Sequence, residues 1–426
     1  MTPSALAAPM RRRMDDLVEF LRSERTDRLV VLALYLVVLF PAVDYLLRRI
    51  PVVRVGAPLW DQALLFFLVA TTLARRREGE ARFLPALAPL IALSAALAVL
   101  DLNYPVAALE GLRATLQFIP FFFAARHLVR TESLRFGLLR AVALTAIAVA
   151  GLGLIQPLIG VQTPAGWVDL TETIGIRIFS IVQSPNVLGG HMALASALIL
   201  GLAWHEDRPV YRLLWLVGAS ITGLTLLLTF SRGAWLAFAA AALVLTFVLD
   251  KRVFVILLIV ALMVGLGLPQ IRGRFLHIFT EEYLEKSALD GRLGRWLRAY
   301  DQLRSRPLFG LGPGRYGGAV AARRFGIAYV DNYYVKTAAE TGLLGLGAFL
   351  YWLGTLGRAA YLRWQGSRGK RWWKLAAGAL CGLLAVVLHN GVENIFEVPY
   401  LNAYFWFALG LMLWARGEDG REGKAG

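Results

Sequence analysis

Long apolar segments recur along almost the whole chain, and they limit most strongly what it can fold into. Most are roughly 17 to 25 residues long, the length that an α-helix needs to cross a hydrocarbon core about 30 Å thick. Hydrophobic residues make up 58% of the sequence and its mean hydropathy is +0.58, above the usual range for soluble globular chains. Because a helix satisfies its own backbone polar groups in lipid, the pattern predicts an all-α, polytopic integral membrane protein.

About twelve such segments can be delimited. They run over Leu29–Leu47, Pro58–Ala74, Phe83–Leu100, Val106–Ala124, Leu138–Ile159, Val187–Ala203, Leu213–Phe230, Ala234–Leu249, Val253–Leu268, Asn332–Leu356, Leu375–Leu388 and Leu401–Trp414. The expected organisation is a cytosolic N-terminal segment (1–28), helices one to nine (29–269), a long external loop containing short helices (270–330), helices ten to twelve (331–415) and a cytosolic tail (416–426).

The placement of charge predicts the topology. The formal net charge of +16 could suggest a nucleic-acid ligand, but 27 Arg and Lys fall on alternate loops and termini, which is the distribution of cytosolic segments in a membrane protein. The first 28 residues are polar and contain Arg11, Arg12 and Arg13, so we expect no cleavable signal peptide. Both termini are therefore expected in the cytosol, with no nucleic-acid partner. The single cysteine, Cys381, leaves no intramolecular disulfide and no cysteine-based metal site.

The long external loop is unusually basic for its side of the membrane. Residues 270–330 carry eleven Arg and Lys, ten of them Arg, against five Asp and Glu. Arginine suits bidentate binding of phosphate oxygens, although a solvated surface against anionic lipid head groups is an alternative. Within the loop, apolar residues at helical spacing predict a short amphipathic helix from Arg292 to Leu303 that lies along the membrane surface.

Four polar stretches interrupt the apolar pattern, and all four are expected at the external face. They are centred on Arg177 to Asn186, Ser231 to Gly233, Tyr329 to Glu340, and His389 to Glu397. Charged residues at membrane depth are costly, so they usually have partners or functions. An interfacial anchor is the alternative for Arg232, and a satisfied polar cap is the alternative for His389.

Five motifs follow one another along the chain: RIFSIVQSPN (Arg177 to Asn186), FSRG (Phe230 to Gly233), RLGRW (Arg292 to Trp296), PLFGLGPG (Pro307 to Gly314), and DNYY with ETGLLG (Asp331 to Gly345). In this order they resemble the O-antigen ligase and polymerase superfamily over the C-terminal two-thirds of the chain. The resemblance implies a metal-independent glycosyltransferase of the bacterial cytoplasmic membrane, without a cofactor, acting externally on undecaprenyl-diphosphate-linked glycan. The acceptor would be another glycan or lipid A-core, and membrane lipid would surround the site.

The resemblance also implies that arginines bind the diphosphate, and the matching positions are Arg177, Arg232 and Arg292. The chain departs from the family at one position. Ligases typically carry His-Asn where this chain has Asp331-Asn332. Because Asp at that position is more like the polysaccharide polymerases, polymerase and ligase both remain open.

The chemistry of such a transfer names further candidates. Fixed cations stabilise the leaving diphosphate, and a carboxylate can act as general base toward the acceptor hydroxyl. Asp331 is the candidate base, and its alternative role is an ordinary helix N-cap. Glu340 follows Lys336 by four positions, so a simple ion pair explains both residues as well as a function does. The candidate catalytic residues are Asp331, Arg232 and Arg292, and the candidate substrate-binding residues are Arg177, Asn186, Arg295, Arg315, Asn332, Glu340 and His389.

A transporter of lipid or glycan is the alternative class, because twelve spans with both termini inside also describe many secondary transporters. Those proteins show two similar halves and charges near the bilayer midplane. Here the halves differ, and the polar residues gather at one face beside a basic loop. The sequence therefore favours the glycosyltransferase.

Overall fold

The computed structural model describes residues 15–57, 59–75, 80–164, 176–289 and 291–414, and within these ranges the chain forms helices and no strands. The helices of the first half are α1 Glu24–Val38, α2 Phe40–Arg49, α3 Trp60–Ala74, α4 Leu84–Leu100, α5 Pro105–Leu116, α6 Pro120–Leu128, α7 Glu132–Leu158, α8 Pro185–His205 and α9 Pro209–Leu228. Those of the second half are α10 Arg232–Leu249, α11 Lys251–Gly267, α12 Pro269–Leu276, α13 Glu281–Leu289, α14 Arg292–Ser305, α15 Ala319–Phe325, α16 Tyr333–Gln365, α17 Trp373–His389 and α18 Pro399–Met412. The basic run Arg11 to Arg13 and the expected tail 416–426 lie outside the described residues.

The all-α, polytopic membrane class is confirmed, and each of the twelve apolar segments falls on a helix or on two consecutive helices. Within the described ranges, six helical segments are long and apolar enough to cross a membrane, or up to eight if each of two bent pairs is one span. Three shorter apolar helices are α3, α4 and α17. The number of spans, expected to be twelve, therefore stays a prediction.

Two of the expected straight spans are bent. Helices α1 and α2 meet at 79°, and α11 meets the helical segment Ile271–Phe279 at 85°. Each bend lies next to a proline, Pro41 in the first and Pro269 in the second. Proline removes a backbone donor and disfavours helical geometry in the residue before it, so these bends have a local cause. Leu268, before Pro269, has the extended torsions φ −89° and ψ 112°.

The segment 270–330, which we call the external loop after its expected side of the membrane, contains short helices, α12 to α15. The amphipathic helix predicted from Arg292 to Leu303 is present as Arg292–Ser305. Its Leu293 and Leu297 are exposed, whereas Gly294 and Ala299 are buried against the protein. Because the exposed side carries large apolar residues, this helix is suited to a membrane interface.

A loop inserted into a helix break explains two of the sequence motifs. The long helix α16 is interrupted at Gly342, whose φ is 69°. The PLFGLGPG turn fills the gap: Leu311 N–H donates to Ala339 O at 2.9 Å, and Leu343 N–H donates to Pro307 O at 2.8 Å. A Cβ at Gly342 would lie 2.1 Å from Leu308 O. Glycine is therefore required here both by its torsion angles and by close contact, and ETGLLG and PLFGLGPG form one structural unit.

The core of the bundle is built around its last helix. In α18 every residue from Tyr400 to Met412 is buried. Trp406 stacks on Trp352 of α16, with ring centroids 6.1 Å apart, and on Phe396, at 5.9 Å. Aromatic side chains bury large apolar areas in such arrangements. The turn at Ile395–Glu397 and the preceding residues are thereby fixed at one end of the bundle.

Candidate functional site

A cavity of about 120 Å³ gathers two of the four polar stretches and two arginines of the loop 270–330, and we call it the arginine cavity. It is lined by Arg177, Asn186, Ser231, Arg232, Gly233, Arg274 and Arg292. One water requires on the order of 10–15 Å³, so the space admits a group of several polar atoms. The three arginines expected to bind a diphosphate are therefore together, and a fourth joins them.

Helix N-termini converge on the arginine cavity. Ser184 caps α8 by accepting from Val187 N at 3.3 Å, and Ser231 caps α10 by accepting from Ala234 N at 3.5 Å. The lining residues Asn186 and Arg232 thus belong to first turns, and Arg292 begins α14. Helix N-termini carry partial positive charge and are natural anion sites. The backbone therefore adds to the potential of the four guanidinium groups.

Arg177 lies outside the helices and is partly buried in the wall of the arginine cavity. Its Nη2 donates to Asn186 Oδ1 at 2.9 Å and its Nε donates to Thr229 O at 3.0 Å. The pKa of Arg177 is lowered to about 10 by burial and by repulsion from Arg232 and Arg292, while Glu393 opposes the shift. Arg177 is still cationic at neutral pH, and the repulsion indicates a site whose positive charge an anion would relieve.

Arg274 is the lining residue that sequence reasoning missed as a site residue. It lies in α12 and is 8% exposed. Its Nη2 donates to Phe230 O at 2.5 Å, and its own carbonyl accepts from Arg232 Nη1 at 2.7 Å. Phe230 has a φ of 50°, an uncommon value for a bulky residue, of the kind that is frequent at functional sites. The FSRG motif is thus bound to α12, although nothing in the local sequence distinguishes Arg274 from the other loop arginines.

Asp331 borders the arginine cavity through Arg292. Its Oδ2 lies 3.0 Å from Arg295 Nη2 and 3.6 Å from Arg292 Nε. The alternative role of Asp331 as a helix N-cap is wrong, because the cap is Asn332, whose Oδ1 accepts from Tyr334 N at 3.0 Å and from Val335 N at 3.1 Å. Asp331 precedes the cap in a left-handed conformation, with φ 50°. Its carboxylate is thus engaged by arginines and not by the helix start.

Glu393 is the second carboxylate beside Arg292. Its Oε2 accepts from Asn186 Nδ2 at 2.6 Å and lies 3.7 Å from Arg292 Nη2. The pKa of Glu393 is raised to about 7 by burial and by the nearby charge of Asp331, while Arg292 opposes the shift. A carboxyl group with this pKa changes its protonation state near neutral pH, which suits general acid–base catalysis. The sequence indicated Glu393 only as part of a polar stretch between the last two spans.

The remaining candidates lie outside the arginine cavity lining. Arg315 contacts Asp101 at 3.4 Å and stacks over Tyr104, with 4.4 Å from guanidinium carbon to ring centroid. His389 is 1% exposed and lies behind Gly233. Asn332 caps α16, and Arg295 pairs with Asp331. The structure therefore places Arg177, Asn186, Arg232 and Arg292 together in the lining, with Asp331 and Arg295 next to them.

Glu340 belongs to a different buried group, which we call the Lys336 cluster and which consists of Lys336, Glu340 and Glu397. Lys336 Nζ lies 2.6 Å from Glu340 Oε2 and 3.3 Å from Glu397 Oε1. The expected i,i+4 ion pair is confirmed, and Glu397 adds a second carboxylate. Backbone donors complete the group: Tyr316 N donates to Glu340 at 3.3 Å and Ala319 N donates to Glu397 at 3.0 Å. This cluster attaches the external loop to α16 and to the turn before α18.

In the described part of the chain, no group of three or more His, Cys, Asp or Glu side chains is arranged to hold a metal ion. Guanidinium groups and helix N-termini supply the positive charge of the arginine cavity.

These observations define a polytopic membrane protein with an anion-attracting site at one end of its helical bundle. Residues 217–350 match the family model described as O-antigen ligase, which confirms the resemblance. The match contains Arg232, Arg274, Arg292 and Asp331, whereas Arg177, Asn186 and Glu393 lie outside it. No curated protein matches the chain.

Proposed function

We propose that the protein transfers glycan from an undecaprenyl-diphosphate carrier to an acceptor hydroxyl at the external face of the bacterial cytoplasmic membrane. The observation that carries this proposal is the convergence of four arginines and of helix N-termini on one cavity at the end of an apolar bundle. Such a group favours an anion. The O-antigen ligase family match supports lipid-linked glycan as the class of substrate.

The arginines would bind the diphosphate and stabilise it as it leaves. In the transfer, the bond between the anomeric carbon and a diphosphate oxygen breaks, and the electron pair stays on the diphosphate. Negative charge therefore grows on the leaving group, and fixed cations in a low-dielectric site stabilise it more in the transition state than in the ground state. Arg177, Arg232 and Arg292 have the role that the resemblance implied, and Arg274 completes the set.

The acceptor hydroxyl must lose its proton as its oxygen bonds to the anomeric carbon. Glu393 is our favoured proton acceptor, because its pKa of about 7 suits a base working near neutral pH. Asp331, the candidate from the sequence, is already bound to two guanidiniums at 3.0 and 3.6 Å. We therefore assign it to positioning Arg292 and to raising the pKa of Glu393 by its negative charge.

Ligase and polymerase differ in the acceptor and not in this chemistry. The family match favours a ligase, whereas Asp331 stands where ligases typically carry His. A ligase attaches one preassembled glycan to an acceptor such as lipid A-core, and a polymerase adds one lipid-linked glycan to another. The products are therefore distinguishable by size.

The deciding experiment incubates purified full-length protein with undecaprenyl-diphosphate glycan, with and without lipid A-core, in the presence of a chelator. A ladder of products without added acceptor would identify a polymerase, and a single adduct requiring the acceptor would identify a ligase. Absence of both products, together with uptake of the donor across a proteoliposome membrane, would replace the proposal with a transporter. Loss of turnover only in the chelator would contradict metal independence.

A further inference from the structure

A second and larger cavity, of about 1000 Å³, lies at the opposite end of the bundle, and we call it the basic pocket. Its wall includes Arg135 near the start of α7, whereas Gln156, near the end of α7, accepts from Ser180 N at 2.9 Å on the side of the arginine cavity. At 1.5 Å per residue, the helix between Arg135 and Gln156 spans about 30 Å. The two cavities are therefore separated by about the thickness of a hydrocarbon core, and the charge pattern assigns the basic pocket to the cytosolic face.

Cations dominate the basic pocket. Its lining contains five positive side chains and one carboxylate, Glu132, in the part of the chain that is described. The cations are Arg135, Arg140, Arg363, Lys370 and Arg371. Two further described carboxylates flank it: Glu206 lies 3.8 Å from Arg140, and Asp207 lies 2.7 Å from Arg371. Among the described residues the wall of the pocket is therefore mainly basic.

Arg135 is the observation that points to a ligand. It is 4% exposed, and its Nε donates to Leu411 O at 2.9 Å. Among the described residues no carboxylate lies within 4.0 Å of it, although a buried guanidinium is costly unless it is compensated. Trp372 and Trp414 compensate part of this cost, since their rings lie 4.7 and 5.4 Å from the guanidinium carbon. Both rings also line the basic pocket.

We propose that the basic pocket binds a phosphate-bearing anion and that the anion is the head group of an anionic phospholipid. Basic pockets between membrane helices on the cytoplasmic side are suited to such head groups, and tryptophan is enriched at the same depth. Arg135 would contact the phosphate at the base of the pocket, while Arg363 and Lys370 would contact it nearer the opening. The acyl chains would lie against the apolar bundle. This proposal does not depend on the transfer reaction.

The test measures lipid binding to full-length protein in neutral phosphatidylcholine nanodiscs, titrated with cardiolipin and read by native mass spectrometry. We expect one cardiolipin to bind tightly to the wild type. The double variant Arg363→Gln/Lys370→Gln should bind it at least about tenfold more weakly, since basic residues near the membrane surface attract anionic lipid. Arg135→Gln provides a second, deeper disruption, with circular dichroism to verify its fold. Arg358→Gln, on the same helix but outside the pocket lining, is the matched control.

The competition arms distinguish the source of the phosphate. Failure of millimolar inorganic diphosphate to displace cardiolipin would support the lipid head group. Displacement at equal concentrations would keep the phosphate site and assign it to a soluble anion instead. Wild-type cardiolipin affinity in both the double variant and a folded Arg135→Gln would overturn the proposal.

Discussion

The arginine cavity and the Lys336 cluster lie at the same end of the molecule, and both hold buried charge, but they are composed differently. In the Lys336 cluster one ammonium lies within 3.3 Å of two carboxylates, which also accept from backbone N–H groups. In the arginine cavity four guanidiniums line the wall together with helix N-termini. The first group pairs opposite charges, whereas the lining of the second brings four positive charges together, with Asp331 and Glu393 beside Arg292.

This difference separates structure from function. Ion pairs between opposite charges fix the position of the segments that carry them. In the Lys336 cluster these segments are the external loop, α16 and the turn before α18. Like charges brought together raise the free energy of the folded state, so a chain that maintains such a site is suited to an oppositely charged ligand. Residues of the arginine cavity should therefore affect turnover, and residues of the Lys336 cluster should affect stability.

The largest expected effect on turnover is that of Glu393→Gln. The amide keeps a hydrogen bond with Asn186 but cannot take a proton, so the transfer rate should fall by a factor on the order of 10² to 10⁴. The wild-type rate should decrease as the pH falls below the Glu393 pKa of about 7, because the base becomes protonated, and the variant should lose this pH dependence. Radiolabelled glycan transfer between pH 5 and 9 measures both. An unchanged pH profile in Glu393→Gln would assign the base elsewhere.

The next largest effect is expected for Arg232→Lys and Arg292→Lys. Each keeps the positive charge but loses the bidentate guanidinium, and loss of one stabilising donor typically costs about 10² to 10³ in rate. Arg298→Lys is the matched control, because it lies on α14 with Arg292 but outside the cavity lining, and its Nη1 donates to Leu289 O at 2.9 Å. Near wild-type turnover in both cavity variants, at normal protein levels, would make these arginines interface anchors.

These contrasts also show how far the sequence alone could lead. Apolar segment length predicted the position of the helices, because lipid imposes one solution on the backbone. The order of the motifs, through the family resemblance, predicted that Arg177, Arg232 and Arg292 share one site, and all three line the arginine cavity. Local pattern could not separate these arginines from Arg315, whose partner Asp101 is 214 positions away in the sequence.

The same limit explains why the cap role of Asp331 stayed open and why one lining residue was missed. Both Asp331 and Asn332 are good N-cap residues, and only the backbone torsions decide between them: φ is 50° at Asp331 and −165° at Asn332. Arg274 is one of ten loop arginines, and its selection depends on a bend at Pro269 that returns α12 to the FSRG turn.

A smaller and different effect is expected for Asp331→Asn. Asparagine tolerates the left-handed conformation, and the cap at Asn332 is untouched, so the variant should fold. Removal of the negative charge should lower the pKa of Glu393, since Asp331 raises it. The acidic limb of the pH–rate profile should therefore move to lower pH, while the loss of an Arg292 partner reduces the rate at the plateau. If the acidic limb of the pH–rate profile were lost in Asp331→Asn and kept in Glu393→Gln, Asp331 would be the base and Glu393 the positioning residue.

The smallest effect on turnover is expected for Lys336→Met, which tests the other half of the comparison. The change leaves Glu340 and Glu397 buried without their ammonium, and breaking a buried pair in this way typically costs about 3–5 kcal/mol. The midpoint of thermal unfolding in detergent should fall, whereas the transfer rate per folded molecule should stay near that of the wild type. Lys251→Met, at an exposed position, controls for loss of a lysine.

A neutral version of the Lys336 cluster makes this last test specific. The triple variant Lys336→Met/Glu340→Gln/Glu397→Gln removes the ammonium and both carboxylates together, and replacing a whole buried ionic group is often far less costly than breaking it. The thermal midpoint of the triple variant should therefore lie closer to the wild-type value than that of Lys336→Met, although the triple variant changes all three side chains of the cluster. Recovery would mean that charge balance, and not any one side chain, is what the Lys336 cluster contributes. A Lys336→Met variant with unchanged stability but greatly reduced turnover would instead place Lys336 in the transfer reaction and remove the distinction between the two regions.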